Sequence, residues 1–169
     1  MPDPMRHAES RSSIESMLRH IPGFKGYLEK EYRRESDQLA RMWLADQLQK
    51  CKASLDSWQR SLLDEGQIDM LPLCERLRSR VDVLQSQMKG AMRGYSGFFD
   101  FVKIDETVLD QVYQLDMGLA DEAAALRQSF EHLPKAESSP TARLDALRQQ
   151  LDELSRQFER RHELLEGIR

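Results

Sequence analysis

Apolar residues return every three or four positions in five stretches of the chain, each bounded by glycine, proline or small polar residues. The first is short. Ile14, Met17, Leu18 and Ile21 share one helical face behind Ser12 or Ser13 as a cap, and Pro22-Gly23 stops it. The second runs from about Tyr27 to Asp64 without glycine or proline. From Leu44 its seam continues through Leu48, Cys51, Leu55, Trp58 and Leu62 in steps of 4, 3, 4, 3 and 4, a period of 3.5 residues that keeps one stripe against a partner helix. At 1.5 Å per residue this helix is about 55 Å long. Gly66 ends it, Asp69 is a candidate N-cap, and Pro72 sits in the first turn of the next helix. There Leu73, Leu77, Val81, Leu84, Met88 and Ala91 continue the pattern until it breaks between Gly90 and Gly94. Asp105 caps a further helix from about Glu106 to Leu133, striped by Leu109, Val112, Tyr113, Leu126 and Phe130. After a linker at 134–140, Thr141 opens the last helix. Its seam is Leu144, Leu147, Leu151, Leu154, Phe158, Leu165 and Ile168, with Arg161 interrupting the gap after Phe158.

The pattern predicts an all-α fold: an antiparallel long-helix bundle or pair of coiled-coil hairpins, with four long helices and a short N-terminal one. A flexible stretch at 1–10 precedes a single domain at 11–169, made of a hairpin at 27–93, an aromatic loop at 94–105 and a hairpin at 106–168. The loop is unusual, because Tyr95, Phe98, Phe99 and Phe101 fall within seven positions, followed by Ile104. Exposed apolar surface gains nothing in water, so these side chains must be covered, either by plugging one end of the bundle or by meeting a partner.

Composition narrows the function classes. Of 169 residues, 32% are charged and 7% aromatic, which suits neither a β-sandwich nor a membrane span. No charged–apolar–small N-terminal pattern marks a secretory signal, and two cysteines, Cys51 and Cys74, suit a reducing cytoplasm as free thiols. The net charge is −4, and no basic stripe interleaved with aromatics points to nucleic acid. Residues 71–93 are locally basic and 94–134 locally acidic, so these neighbours are expected to face and neutralise each other, the alternative being an acidic surface that docks a basic partner.

Candidate chemistry is sparse. Glu159-Arg-Arg-His162 has the Glu-x-x-His spacing of a bundle di-metal centre, but a second such pair is missing, and no metal site is expected. Gly94-Tyr-Ser-Gly97 is too short for a phosphate loop and lacks its lysine, and no nucleophile elbow occurs. No catalytic residue, cofactor or small-molecule substrate is assigned.

Two stretches carry a resemblance. Ile21-Pro-Gly-Phe-Lys-Gly-Tyr27 with Lys30, Glu31, Arg33, Arg34 and Asp37 resembles a motif of a group of uncharacterised bacterial all-helical proteins. Gly94-Tyr-Ser-Gly-Phe-Phe-Asp100 with Lys103, Glu106, Leu109, Asp110, Tyr113 and Asp116 resembles a second motif of that group, and the two span about residues 20–120. The long hairpin is more loosely similar to phage-shock and ESCRT-III-type membrane-remodelling proteins. The first group implies no activity.

The expected function is that of a non-enzymatic cytoplasmic adaptor or assembly subunit, with a protein partner or self-association. Its candidate contacts are Tyr95, Phe98, Phe99, Phe101 and Ile104 in the aromatic loop, and Leu144, Leu151 and Phe158 on the last helix. The alternative is peripheral contact with the inner membrane through Ile14, Met17, Leu18, Ile21 and Phe24, flanked by Arg11, Arg19 and Lys25. A metal-dependent bundle enzyme is the third reading.

Overall fold

The computed structural model describes residues 4–91 and 95–167, and the side chains of these apart from 4–11 and 96. Among them are six α-helices and no strand: α1 Pro4–His20, α2 Lys30–Asp64, α3 Leu71–Gly90, α4 Ser96–Asp100, α5 Glu106–Glu131 and α6 Pro140–Gly167. The fold is all-α, as the periodicity predicts. The element count differs from four long helices and a short one. Residues 4–10, expected to be flexible, extend α1 to 17 residues, and the aromatic loop contains a helix of its own. Residues 1–3, and Ile168 of the predicted last seam, lie outside the described residues.

The four longest helices form a ring in which α2 packs on α3 and α5, and α6 packs on α5 and α3. The hairpin pairs are antiparallel. Arg41 near the start of α2 donates to the carbonyls of Met88 and Lys89 at the end of α3, and Lys52 meets Asp82 at 2.7 Å. The two cross-pairs, α2 with α5 and α3 with α6, run parallel. One end of α3/α6 is marked by Met70 beside Thr141, and the middle by the Arg80–Asp152 pair at 2.6 Å. The chain therefore crosses the ring diagonally between α3 and α5, and α4 lies on that crossing. This arrangement corrects the charge expectation. Basic α3 and acidic α5 do not share a ring edge, and Arg78 and Arg80 pair instead with Asp56 of α2 and Asp152 of α6.

Away from the crossing, the core is a leucine seam with Trp58, Phe130 and Phe158 filling the wider spaces. The α2–α3 turn closes as a Schellman motif: Gln67 N–H reaches the Leu62 carbonyl at 2.8 Å, Gly66 N–H reaches Leu63 at 3.0 Å, and Gly66 takes φ 75°. A 3₁₀ turn, Ile68–Met70, intervenes before α3, so Met70 rather than Asp69 stands at its N-cap. Asp105 does cap α5, accepting from Thr107 N–H at 2.7 Å. At the far end, Arg143 gathers the carbonyls of Leu133, Ala136 and Ser138 and lies over the Trp58 ring, which fixes the 132–139 connection. Cys51 and Cys74 are buried free thiols, and burial pushes the Cys51 pKa up to about 12.

Candidate functional site

The chain's unusual chemistry gathers at the end where α2 and α5 begin and α3 and α6 finish. The segment 21–29 turns a corner there and delays α2 to Lys30, three residues later than its apolar pattern suggests. Gly26 makes the corner possible with φ 89°, and a Cβ on it would lie 2.5 Å from the Tyr113 hydroxyl. The Tyr113 hydroxyl accepts from Tyr27 N–H at 2.8 Å, and Ser36 donates to the Gly26 carbonyl at 2.9 Å. The buried Arg33 guanidinium then ties the corner to the crossing, donating to the carbonyls of Tyr27, Leu28, Phe98 and Phe101. Tyr27 packs edge-on against Phe24 and Phe98, and Phe98 edge-on against Phe99. The segments 21–27 and 95–101 thus meet in space and build one aromatic plug.

Beneath the plug lies a closed ionic cluster. Arg161 on α6 is 0% exposed. It pairs with Asp116 of α5 through Nε, lies 2.9 Å from Asp37 of α2 through Nη2, and donates to the Tyr27 hydroxyl at 3.1 Å. Tyr27 itself donates to Asp116, and Arg41 donates to Asp37 at 2.8 Å. Burial and the Asp116 charge together raise the Tyr27 pKa well above its ordinary value. Burial alone would lower that of Arg161, but Asp116, Tyr27 and Asp37 outweigh it and hold the guanidinium firmly charged. Two buried arginines, Arg41 and Arg161, face two buried aspartates, while the third, Arg33, is held by backbone carbonyls alone. Backbone carbonyls at helix ends supply most of the remaining acceptors, while Arg41 Nη2 and Arg161 Nη1 find no acceptor. Tyr95 closes the cluster toward α6. Burial pushes its pKa up to about 12, and its hydroxyl lies 3.1 Å from His162 Nδ1, whose Nε2 meets Glu166 at 3.1 Å.

The predicted contact residues are placed differently. Tyr95, Phe98 and Phe99 are 0–3% exposed, so these three are covered within the chain. Phe101 is exposed and Ile104 half-buried. Both line a hollow of about 420 Å³ against Glu163 and Leu164 of α6. Leu144, Leu151 and Phe158 are buried within the chain, because the seam proposed for self-association is consumed by α5, α2 and α3. The N-terminal face is likewise consumed: Met17, Ile21 and Phe24 are 1–2% exposed against α5 and the plug, Ile14 is half-buried, and Leu18 alone stays exposed. Among the described residues, no group of three His, Cys, Asp or Glu side chains is placed to hold a metal ion, and no helix is long and apolar enough to cross a membrane.

Sequence reasoning missed the ionic cluster, although its signal was present. Arg161, Asp116 and the run Arg33, Asp37, Arg41 each occupy seam positions, where the period calls for an apolar residue. A charge at such a position is buried by the packing of its neighbours and must find a partner.

On the surface, two adjoining hollows of about 300 and 670 Å³ lie between α3 and α6, sharing Val83 and Gln87. Glu159 and His162 line the larger one. No family model matches the chain, and neither a curated protein nor a solved structure gives a match.

Proposed function

We propose that the chain is a non-enzymatic adaptor or assembly subunit that works through an outer helix face. The observation that carries this reading is an asymmetry of the ring. On the α2/α5 side, α1 lies along α5 and reaches α2 through His20, whose ring meets Trp43 edge-on at 5.5 Å. On the opposite side no helix among the described residues covers the α3/α6 pair in this way, and its two hollows open outward beside Val83, which is 59% exposed. Grooves between parallel helices accept a further helix readily. The ionic cluster favours the same reading from another direction. Its arginines and aspartates are turned toward each other and sealed under the aromatic plug, an arrangement that holds helices together rather than receiving a substrate.

The test is a photo-cross-linking amino acid in place of Gln87, on the α3/α6 face, compared with one in place of the exposed Lys50 on α2. In the native cell, discrete adducts from position 87 and none from position 50 are expected. The same adducts from both positions, or none from position 87, would overturn the reading.

A further inference from the structure

Resting on that reading, we infer that the α3/α6 groove receives one amphipathic helix of another protein, with an acidic and a basic residue about eleven positions apart on its docking face. Size, surface relief and charge each point to this occupant. From residue 76 to 91 the groove is about 22 Å long, and two helices are about 20 Å across. That face of roughly 400 Å² is half of what each folded partner contributes to a stable interface, about 800 Å². It is the footprint of a single helix of about fifteen residues, which is also about 22 Å long.

The relief of the face lets a helix in. Ser79, Ser86 and Ser155 line the groove, and side chains this small let a third helix approach α3 and α6 closely. Val83 stands exposed between the hollows of about 300 and 670 Å³ and lines both. Their linings are offset by one turn along α3, from Ser79–Gln87 to Asp82–Ala91, and by two turns along α6, from Leu151–Ser155 to Phe158–His162. Side chains at i and i+4, or i and i+7, share one face of a helix at the same spacing of one to two turns. One docked helix therefore reaches both hollows, and in the larger one it meets Phe158 and Ala91.

Charge decides what flanks those side chains. Arg76 is exposed, two turns before Val83 on the same face of α3. Glu159 is exposed on α6 and lines the larger hollow. Among the described residues, neither is in an ion pair. Other charges of the face are matched: Arg80 by Asp152 at 2.6 Å, Asp82 by Lys52 at 2.7 Å, and Glu166 by the His162 ring at 3.1 Å. Arg148, level with Arg76, reaches Asp152 only at 3.9 Å and adds to the positive end. The Arg80–Asp152 pair sets the register of the parallel helices and puts Glu159 level with Gln87. At 1.5 Å per residue, Arg76 and Glu159 are therefore about 16 Å apart along the groove. That distance is about eleven residues, or three full turns of helix. An acid opposite Arg76 and a base opposite Glu159 thus fall on one face of the same partner helix. A helix with the two charges exchanged would set like against like at both ends.

Photo-cross-linking from position 87 in the native cell, with the adducts mapped to sequence by mass spectrometry, tests the inference. The cross-linked segment should belong to another protein and carry an acid and a base about eleven positions apart, with apolar residues between them. A synthetic peptide of that segment should bind the purified protein in the micromolar range by fluorescence anisotropy, gaining helicity as it does. Arg76→Glu and Glu159→Arg should each weaken binding roughly fivefold. The peptide with its acid and base exchanged should bind the double variant as the native peptide binds the native protein. Val83→Asp should abolish binding with an unchanged helical spectrum, since the side chain is exposed. Adducts to a second copy of this chain, a segment without the charge pair, or peptide binding indifferent to Arg76→Glu and Glu159→Arg would overturn the inference and leave the adaptor reading in place. The absence of any adduct from position 87 would overturn both.

Discussion

Arg161→Met is the substitution that probes the ionic cluster most directly. Methionine matches the length of the arginine stem and keeps its packing, so the change removes the charge and its donors with little cavity. In the native chain Arg161 touches Asp116, Asp37 and the Tyr27 hydroxyl at 0% exposure and lies over the Tyr95 ring. After the change, Asp116 keeps only the Tyr27 hydroxyl and Asp37 keeps only Arg41. Two buried carboxylates would then share one buried counter-charge. Removing one partner of a buried pair costs about 3–5 kcal/mol, because the other charge stays desolvated without compensation. Against a total stability of about 5–15 kcal/mol, that is about a fifth or more of what holds the fold. Urea unfolding followed by circular dichroism reads it as a shift in midpoint at nearly constant slope. Arg148→Met is the control. Arg148 is about half exposed, its contacts to Asp145 and Asp152 span 3.7–3.9 Å, and its loss is expected to cost under about 1 kcal/mol. A double-mutant cycle with Asp116→Asn should return a coupling energy of about 1–3 kcal/mol. If Arg161→Met cost no more than the control, the claim that these charges are sealed from water and mutually dependent would be wrong.

Two further outcomes follow from the geometry. Gly26→Ala should destabilise by about 2–4 kcal/mol, since it forces alanine into positive φ and pushes a Cβ onto the Tyr113 hydroxyl, whereas Gly90→Ala, with open space around it, should not destabilise; thermal melts compare them. At alkaline pH the fold should fail cooperatively: Cys51 and Tyr95 have folded pKa values raised to about 12 from ordinary values of 9.0 and 10.0, so their stabilising contribution is complete below pH 9 and is lost as pH climbs toward 12. By pH 11 that loss is about 4 kcal/mol, at 1.36 kcal/mol per unit for each group, and in a Tyr32→Phe background, which leaves only the three buried tyrosines, tyrosinate absorbance should rise together with loss of helicity; ionisation at pH 10 with the helices intact would refute it.

How much of the molecule was legible varied along the chain. The leucine seams of α2, α3 and α6 could be read because a 3.5-residue period admits few alternatives, and they run where expected. Asp105 was legible as a cap because its role depends on residues two positions away. The corner at 21–29 and the α4 helix were not legible. Their conformations are set by Arg33 reaching carbonyls as far away as Phe98 and Phe101, a relation that no local pattern encodes. The pairing of α3 with α6 rather than α5 also escaped, because leucine faces are interchangeable and a short sequence separation favours the neighbour in the chain. For the same reason the sequence could not say that the stripes read as membrane-facing and self-associating lie against the chain's own helices: an amphipathic stripe states that it must be covered, not by what.

That interchangeability gives the ionic cluster its purpose in the fold. Two leucine-seamed hairpins can dock with α3 beside α5 or with α3 beside α6, and apolar burial alone distinguishes them poorly. In the observed docking Asp37 and Arg41 on α2, Asp116 on α5 and Arg161 on α6 meet at one level, with α5 between α2 and α6. A docking that separated these charges while burying them would cost several kcal/mol for each. The cluster is therefore expected to act against a wrong arrangement more than it stabilises the right one. The quadruple variant Asp37→Leu, Arg41→Met, Asp116→Leu and Arg161→Met separates these roles, because it replaces all four charged partners at once and leaves none of them stranded. It should melt within a few degrees of the native protein or above it, yet give more than one set of amide resonances where the native chain gives one. A quadruple variant with a single sharp set of resonances and the native pattern of contacts would show that the leucine seams select the topology unaided.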